Sequence, residues 1–248
     1  MFKLSIVAVV SALFFTACQP QTHVVKSDHQ YQEIKEGAQS DAAVEEMIAP
    51  YKKEVEREMT SVIGYTAKML TKAKPESTLG NWAADLVHTQ CERYLKQKVD
   101  FAVLNYGGLR IPSLPKGAVT KGKIFELMPF DNTLVVLEMK GSELGALFHH
   151  IAAKGGWPIS KHLQLKVRNG KALDATIGGQ KILKEQVYRI ATNDYIANGG
   201  DKCTFFKGKP QIQTNKLFRD AIIEFVEAET KAGKKLDANI EDRILVLK

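Results

Sequence analysis

Apolar residues recur at helical spacing in two segments of the N-terminal half of the chain. The first set follows Asp41 and consists of Val44, Met47, Ile48, Tyr51, Val55, Met59 and Val62. Its spacing predicts a leading helix, which Pro50 is expected to kink or restart. The second set lies behind Ser77 or Thr78 as the cap and consists of Leu79, Trp82, Ala83, Leu86, Val87, Cys91, Tyr94 and Leu95. This set predicts an amphipathic helix that packs on a sheet.

Farther along, short apolar runs alternate with more helical patterns. The runs predict strands at 101–104, 134–139, 163–167, 187–191 and 244–247. The helical patterns lie at 120–127, at 142–153 with Ser142 as the cap, and at 217–226. Strands mixed with helices in this way predict a mixed α/β (α+β) fold, a layered domain of mixed sheets and helices.

The first residues have the pattern of a bacterial export signal. Lys3 precedes the apolar run 4–15, and the small residues Thr16 and Ala17 come directly before Cys18. The stretch is similar to the lipobox of bacterial lipoproteins, in which the cysteine is diacylated and becomes the first mature residue. Residues 1–17 are therefore predicted to be a lipoprotein signal peptide with lipidation at Cys18. The alternative is an ordinary signal that a cysteine happens to follow.

Three segments are expected to follow from this pattern. Residues 18–40 are rich in Gln, Ser, His and Lys without apolar periodicity, which predicts a flexible tether. Residues 41–248 are long enough to bury one core and form one domain. The expected location is exported and lipid-anchored to a bacterial membrane, at the outer membrane and periplasm or at the cell surface.

Charge and cysteine content narrow the function classes only slightly. The formal net charge is +7, but the lysines are scattered and no basic helix is interleaved with aromatics, so no nucleic-acid partner is predicted. Cys91 and Cys203 could pair in an exported protein, or Cys91 could remain a buried free thiol on its apolar helix face. The six histidines form no cluster with suitable carboxylates, and His149 and His150 point about 100° apart on a helix, so no metal is expected in this chain.

Three loops carry residues that could bind a flat, polar ligand. They have the sequences Asn105-Tyr106-Gly107-Gly108-Leu109-Arg110, Met128-Pro129-Phe130-Asp131-Asn132 and Asp194-Tyr195-Ile196-Ala197-Asn198-Gly199-Gly200-Asp201. Phe130 and Tyr195 offer two aromatic faces for a base. Asp201 could accept hydrogen bonds from ribose hydroxyls, and Arg110 has a planar fork suited to phosphate. Taken one at a time, each has a structural alternative: a ring filling the core, a glycine turn capped by its own Asp, or a common Gly-Gly-Arg turn.

The order and approximate spacing of these loops resemble the C-terminal, nucleotide-recognising domain of the 5'-nucleotidase family, over roughly 41–248. Leu79-Gly80-Asn81 and Lys140-Gly141-Ser142-Glu143-Leu144 are further landmarks. The resemblance implies a substrate site formed by Asn105, Gly107, Gly108, Arg110, Phe130, Asn132, Tyr195, Asn198, Gly200 and Asp201. In it Phe130 and Tyr195 would sandwich the base and Asn132 would touch its edge. Asp201 would bind the ribose, and Arg110 with Asn105 would meet the phosphate.

The sequence departs from the family pattern at several positions. Ala73 stands where the family has an arginine, and Lys72 or Lys74 could replace it only without the bidentate fork. Tyr195 replaces a usual Phe, which keeps the stacking face and adds a hydroxyl. Lys161 stands where glycine is frequent.

The largest departure concerns catalysis. The family's two-metal phosphoesterase domain carries Asp-x-His and Gly-Asn-His-Asp/Glu motifs, and this sequence contains neither. The expectation is a nucleotide- or nucleoside-recognition subunit of a split 5'-nucleotidase, inactive alone and without catalytic residues or cofactors of its own. The divalent metal ions are expected in a separate metallophosphoesterase chain. The alternatives are a non-catalytic surface nucleotide-binding lipoprotein and a degenerate structural lipoprotein.

Overall fold

The structure is a computed structural model that describes residues 26–31, 33 and 40–247. The helices are α1 (Ala42–Thr60), α2 (Thr78–Leu95), α3 (Lys121–Leu127), α4 (Leu144–Ala153), α5 (Asp194–Ala197) and α6 (Phe218–Lys231). The longer strands are β1 (Val62–Thr66), β5 (Gly117–Thr120), β6 (Thr133–Lys140), β7 (Leu163–Arg168), β8 (Lys171–Ile177), β10 (Val187–Asn193), β11 (Gln211–Leu217) and β12 (Ile244–Val246). The short strands are β2 (Leu70–Thr71), β3 (Phe101–Ala102), β4 (Ser113–Leu114) and β9 (Gln180–Lys181).

Two four-stranded sheets organise the fold, and both are mixed. The central sheet has the order β11-β6-β10-β3, in which β6 is antiparallel to both its neighbours and β3 is parallel to β10. The second sheet has the order β12-β7-β8-β9, with β12 parallel to β7 and the other pairs antiparallel. The predicted fold class, mixed sheets layered with helices, is confirmed.

The central sheet is covered on both faces. Val136 of β6 packs in a cluster with apolar side chains of α2, α3 and α6. Its neighbours Val135 and Leu137 point the other way and pack with α4 and the second sheet. Alternate residues of a strand face opposite sides, so a strand buried on both sides reads as a continuous apolar run. This burial explains why β6 and β3 were visible in the sequence.

Helix α2 follows its sequence pattern closely. The Ser77 hydroxyl accepts a hydrogen bond from the Gly80 amide at 3.0 Å, which makes Ser77 the cap, one of the two predicted. Helix α1 continues through Pro50 to Thr60, and none of its residues is buried. Val62, which was assigned to the leading helix, instead begins β1. The helix ends at Thr60, two residues before Val62, so this apolar residue belongs to the strand and not to the helix.

The predicted start of α4 is wrong by two residues. Gly141–Glu143 form a separate 3₁₀ turn, and α4 begins at Leu144, so Ser142 is not its cap. The Glu143 carboxylate instead accepts the Lys140 amide at 3.0 Å. A side chain at Gly141 would lie 2.2 Å from the Leu183 carbonyl oxygen, so this close approach shapes the turn.

Both cysteines of the domain are buried free thiols, and burial raises the pKa of each to about 12. The disulfide between Cys91 and Cys203 is therefore absent from this structure. No helix within the described ranges is long and apolar enough to span a bilayer. The predicted signal peptide, Cys18 and most of the tether lie outside the described residues.

Candidate functional site

The topology brings the three ligand-binding loops to one edge of the central sheet. Strands β3 and β10 are parallel, so the loops that follow them leave the same edge. Strand β6 is antiparallel to β10, with Leu134 opposite Asn193, so the loop preceding β6 reaches that edge as well. Loops at 105–110, 128–132 and 194–201 therefore meet although they are distant in sequence.

Between these loops lies a cavity of about 490 Å³. It is lined by Asn105, Gly107, Gly108, Arg110, Phe130, Asp131, Asn132, Tyr195 and Asp201. Every predicted site residue lines it except Asn198 and Gly200, which line an open depression on the other side of Tyr195. Asp131 was not among the predicted site residues, although its neighbours in the sequence were. The rings of Phe130 and Tyr195 are 41% and 46% exposed, so neither is a core ring.

One side of the cavity is lined by Asn105, Tyr195 and Asp201. These residues, together with Asn193 and Gly200, which contact them without lining the cavity, are here called the Tyr195 wall. The predicted loop begins as a helical turn, α5, because the Asn193 side chain caps it by accepting the Ile196 amide at 3.1 Å. Asn193 also donates to the Asn105 side-chain oxygen at 3.4 Å, and Asn105 donates to Asp201 Oδ2 at 2.7 Å. Asn105 and Asn193 are buried, so these bonds satisfy amides that would otherwise destabilise the fold.

Gly200 allows the Tyr195 ring to lie against the backbone. A Cβ atom at Gly200 would come within 2.6 Å of two ring carbons and of the Tyr195 carbonyl oxygen. The preceding Gly199 and the following Asp201 both have left-handed backbones, with φ of 96° and 49°. At Gly200 the backbone lies directly against the Tyr195 ring, an approach that a residue with a Cβ atom would obstruct.

A second group of lining residues, Phe130, Asp131 and Asn132, is bonded to Arg219, which does not line the cavity; these four residues are here called the Phe130 wall. Arg219, from α6, donates to Asp131 Oδ1 at 2.7 Å and to the Phe130 carbonyl oxygen at 3.4 Å. Its guanidinium lies 4.4 Å from the centre of the Phe125 ring. Asn132, which the resemblance expects to touch the edge of the base, lines the cavity. Its amide nitrogen donates to Asp194 Oδ1 at 2.8 Å.

Two cations contact the backbone of the glycine loop 105–110. The Arg110 guanidinium donates to the Gly107 carbonyl at 3.3 Å and lies 5.6 Å from the Phe130 ring centre. Lys72 donates to the Leu109 carbonyl at 2.6 Å, and its ammonium lies 4.1 Å from the Tyr106 ring centre. Burial, followed by repulsion from Arg110 and Lys74, lowers the pKa of Lys72. Lys72 is one of the two lysines that the sequence offers in place of the family's arginine. Its ammonium contacts the loop that carries Arg110.

A sequence model of the family described as 5'-nucleotidase, C-terminal domain, matches residues 62–208, more than half of the chain. The chain belongs to this family.

Similar proteins place the 5'-nucleotidase C-terminal domain in longer chains. A 5'-nucleotidase of Vibrio vulnificus is 29% identical over 205 residues, which are 79% of this chain and 35% of that protein. A 5'-nucleotidase of Vibrio cholerae is 26% identical over 221 residues, covering 84% and 36%. A 5'-nucleotidase precursor from Thermus thermophilus superposes with a TM-score of 0.70 at 28% identity, covering 83% of this chain and 43% of that one. The chain thus spans about a third of the length of these two Vibrio proteins.

The donor set of this 5'-nucleotidase C-terminal domain does not fit a two-metal centre. Among the residues that the structure describes, no group of three or more His, Cys, Asp or Glu side chains could hold a metal ion. At the cavity, Asp201 is bonded to Asn105 and Tyr195, and Asp131 is bonded to Arg219. The cavity therefore offers aromatic faces, amides, a guanidinium and two carboxylates that are already hydrogen-bonded to neighbouring side chains.

Proposed function

We propose that this protein is the nucleotide- or nucleoside-recognition subunit of a split 5'-nucleotidase, and that a separate metallophosphoesterase chain supplies the divalent metal ions for phosphate-ester hydrolysis. The observation that carries the proposal is the cavity where two half-exposed aromatic rings, a carboxylate and an arginine converge. Its volume lies within the range of small-molecule sites. Family membership and the absence of the two-metal motifs from the sequence support the division of labour.

Each part of a nucleotide has a matching group in the cavity. A base stacked between Phe130 and Tyr195 would gain roughly 1 to 3 kcal/mol per aromatic contact. The Asp201 carboxylate would accept hydrogen bonds from the ribose hydroxyls, and bonds to a charged acceptor are stronger than neutral ones. The guanidinium of Arg110, with the ammonium of Lys72 nearby, would attract the phosphate.

Calorimetric titration of the full chain with adenosine and AMP tests this binding. The wild type should bind both ligands saturably, and Phe130→Ala and Asp201→Ala should each lower the affinity by about tenfold or more. Val62→Ala is a matched control, because Val62 is half-exposed on β1 and does not line the cavity. Binding that survives both site variants unchanged would exclude this cavity as the site.

A non-catalytic nucleotide-binding lipoprotein is the second candidate, since the same cavity would bind a nucleotide without any hydrolysis. AMP hydrolysis with Mn²⁺ separates the two functions. The split enzyme predicts phosphate release when the full chain is mixed with a two-metal phosphoesterase chain encoded beside it, at a rate above that of either chain alone. The binding lipoprotein predicts no increase on mixing.

We also propose that the chain is exported and anchored through lipid at Cys18. Two or more acyl chains on one cysteine would hold it stably at the membrane. Cys18→Ser should move the protein from the membrane fraction to the soluble fraction, with Cys91→Ser as the control. Unchanged fractionation of Cys18→Ser would contradict the anchor.

A further inference from the structure

The Tyr195 hydroxyl joins the aromatic surface of the cavity to its carboxylate. It donates to Asp201 Oδ1 at 3.2 Å and accepts the Asp201 backbone amide at 3.3 Å. A phenylalanine would present the same ring without either bond. The resemblance implies that phenylalanine is usual at this position, and a phenylalanine could form neither bond.

The carboxylate of Asp201 is held at both oxygens. Oδ1 accepts the Tyr195 hydroxyl, and Oδ2 accepts the Asn105 amide at 2.7 Å. Asn105 is 6% exposed and is itself bonded to Asn193, so its amide is a fixed donor. An ionised carboxylate has about four acceptor sites on two oxygens. One further site therefore remains on each oxygen, which matches the two hydroxyls of a vicinal diol.

We infer that Tyr195 is a positioning residue, and that its hydroxyl makes this cavity selective for ribosides carrying both the 2′- and 3′-hydroxyls. The inference rests on the proposed nucleotide-binding function. By fixing the carboxylate relative to the ring, the hydroxyl orients the two free acceptor sites before the ligand arrives. A group that is already oriented loses less conformational entropy on binding. Without the hydroxyl, Asn105 alone restrains Asp201, and the carboxylate can rotate away from the diol.

The experiment compares adenosine with 2′,3′-dideoxyadenosine, which has the same base and lacks both hydroxyls, in titrations of the full chain. Tyr195→Phe should weaken adenosine binding about threefold to tenfold and leave dideoxyadenosine binding unchanged, so that the ratio of the two affinities falls. Tyr65→Phe is the matched control, because Tyr65 lies on β1 away from the cavity and is 47% exposed, against 46% for Tyr195.

Two results would overturn the inference while leaving the proposed function intact. An unchanged ratio because both ligands weaken equally would mean that the hydroxyl only holds the ring. Unchanged affinities for both ligands would mean that Asn105 orients the carboxylate by itself. Failure of the wild type to bind adenosine would instead overturn the proposed function, and this inference with it. A thermal unfolding temperature of Tyr195→Phe equal to that of Tyr65→Phe excludes misfolding as the cause of any loss.

Discussion

The Tyr195 wall and the Phe130 wall present similar rings to the same cavity, but they are held in different ways. The Tyr195 ring is bonded within six residues of itself, to Asp201, and it lies against Gly200. The Phe130 loop is held mainly by Arg219, which is 88 residues away from Asp131 in the chain. The Tyr195 ring is therefore held by local contacts, although Asn105 joins its wall to Asp201 across 96 residues, whereas the Phe130 loop is held only once α6 has packed on the domain. Changes to the two walls should consequently have separable effects on sugar selectivity and on base affinity.

The largest effect on adenosine binding is expected from Gly200→Ala, which adds a methyl group where the Gly200 backbone lies against Tyr195. A Cβ at 2.6 Å from the Tyr195 carbonyl oxygen and ring forces both the ring and the Asp201 segment to move. Adenosine binding in titrations should weaken about a hundredfold, because ring stacking and the carboxylate bonds are lost together. The free energy of unfolding should fall by about 1 to 3 kcal/mol, as overpacking does elsewhere.

Gly145→Ala serves as the control for this substitution. A Cβ at Gly145 meets no atom within 4 Å, and the residue lies inside α4, where alanine is favoured over glycine by about 0.5 to 1 kcal/mol. This variant should bind adenosine normally and unfold at a slightly higher denaturant concentration. Normal adenosine affinity in Gly200→Ala would show that the Tyr195 ring does not need its observed position.

A smaller effect is expected from Arg219→Met, which releases the Phe130 wall. Loss of the bonds to Asp131 and to the Phe130 carbonyl should let the ring leave the cavity edge. Adenosine and dideoxyadenosine should both bind about tenfold more weakly, with an unchanged ratio, because the Asp201 side is untouched. Arg219→Lys should fall between wild type and Arg219→Met, since lysine keeps the charge but not the planar fork.

Arg57→Met is the matched control, because Arg57 is exposed on α1 and pairs only loosely with Glu58 at 3.6 Å. Titrations of this variant should match the wild type. A change in the adenosine to dideoxyadenosine ratio in Arg219→Met would mean that the two walls are coupled rather than separate.

A still smaller and more selective effect is expected from Lys72→Met, because the Lys72 ammonium is bonded to the glycine loop that carries Arg110. AMP should bind about threefold to tenfold more weakly while adenosine is unaffected, because one cation near the phosphate is lost. Only the charged ammonium attracts phosphate, so its contribution is complete below the Lys72 pKa and is lost as pH rises through it. That pKa is lowered from 10.5, so wild-type AMP affinity should begin to decline at a lower pH than an ordinary lysine would give.

Lys116→Met, at an exposed position, is the control for the phosphate titrations. Its AMP and adenosine affinities should both match the wild type at every pH. Equal weakening of adenosine and AMP in Lys72→Met would assign Lys72 to the support of the glycine loop, through its bond to Leu109, instead of to the phosphate.

The difference between the walls also explains what could be predicted from the sequence. Tyr195 and Asp201 follow the strand β10, whose buried apolar run is visible, and the turn residues beside them mark the loop. Arg219 reads in the sequence as one more cation on an amphipathic helix, and only tertiary packing brings it to Phe130. The strands β8 and β11 escaped prediction because Ile177 is the one buried residue in the two of them, so their sequences carry no long apolar run. The start of α4 was misplaced because the Gly141 turn depends on a distant carbonyl, that of Leu183.

The smallest expected effect is a pH dependence of stability at His150, which adjoins the Tyr195 wall. Its ring lies 4.9 Å from Trp157 and 5.5 Å from Phe205, and its Nε2 is buried without a hydrogen-bond partner. Burial, then the charge of Lys154, lowers the pKa of His150 below 6.5, while Asp201 opposes the shift. As pH falls, the unfolded chain therefore takes up this proton before the folded chain does. The stability contribution is complete above about pH 6.5 and is lost as pH falls toward the lowered folded pKa.

His150→Gln should consequently reduce the loss of unfolding free energy between pH 7.5 and pH 5.5 in urea titrations. Part of the wild-type loss should remain, because burial and the neighbouring His88 also lower the pKa of His162, which lies against His88 away from both walls. Arg219→Met should lose as much unfolding free energy between pH 7.5 and pH 5.5 as the wild type does, since the ring contacts of His150 are with Trp157 and Phe205 and not with the Phe130 wall. If Arg219→Met reduced this loss of unfolding free energy as much as His150→Gln does, the pH dependence of stability would arise from the cavity as a whole and not from His150. The distinction between a ring held by local bonds and a ring held by tertiary packing would then fail for stability, even if it held for binding.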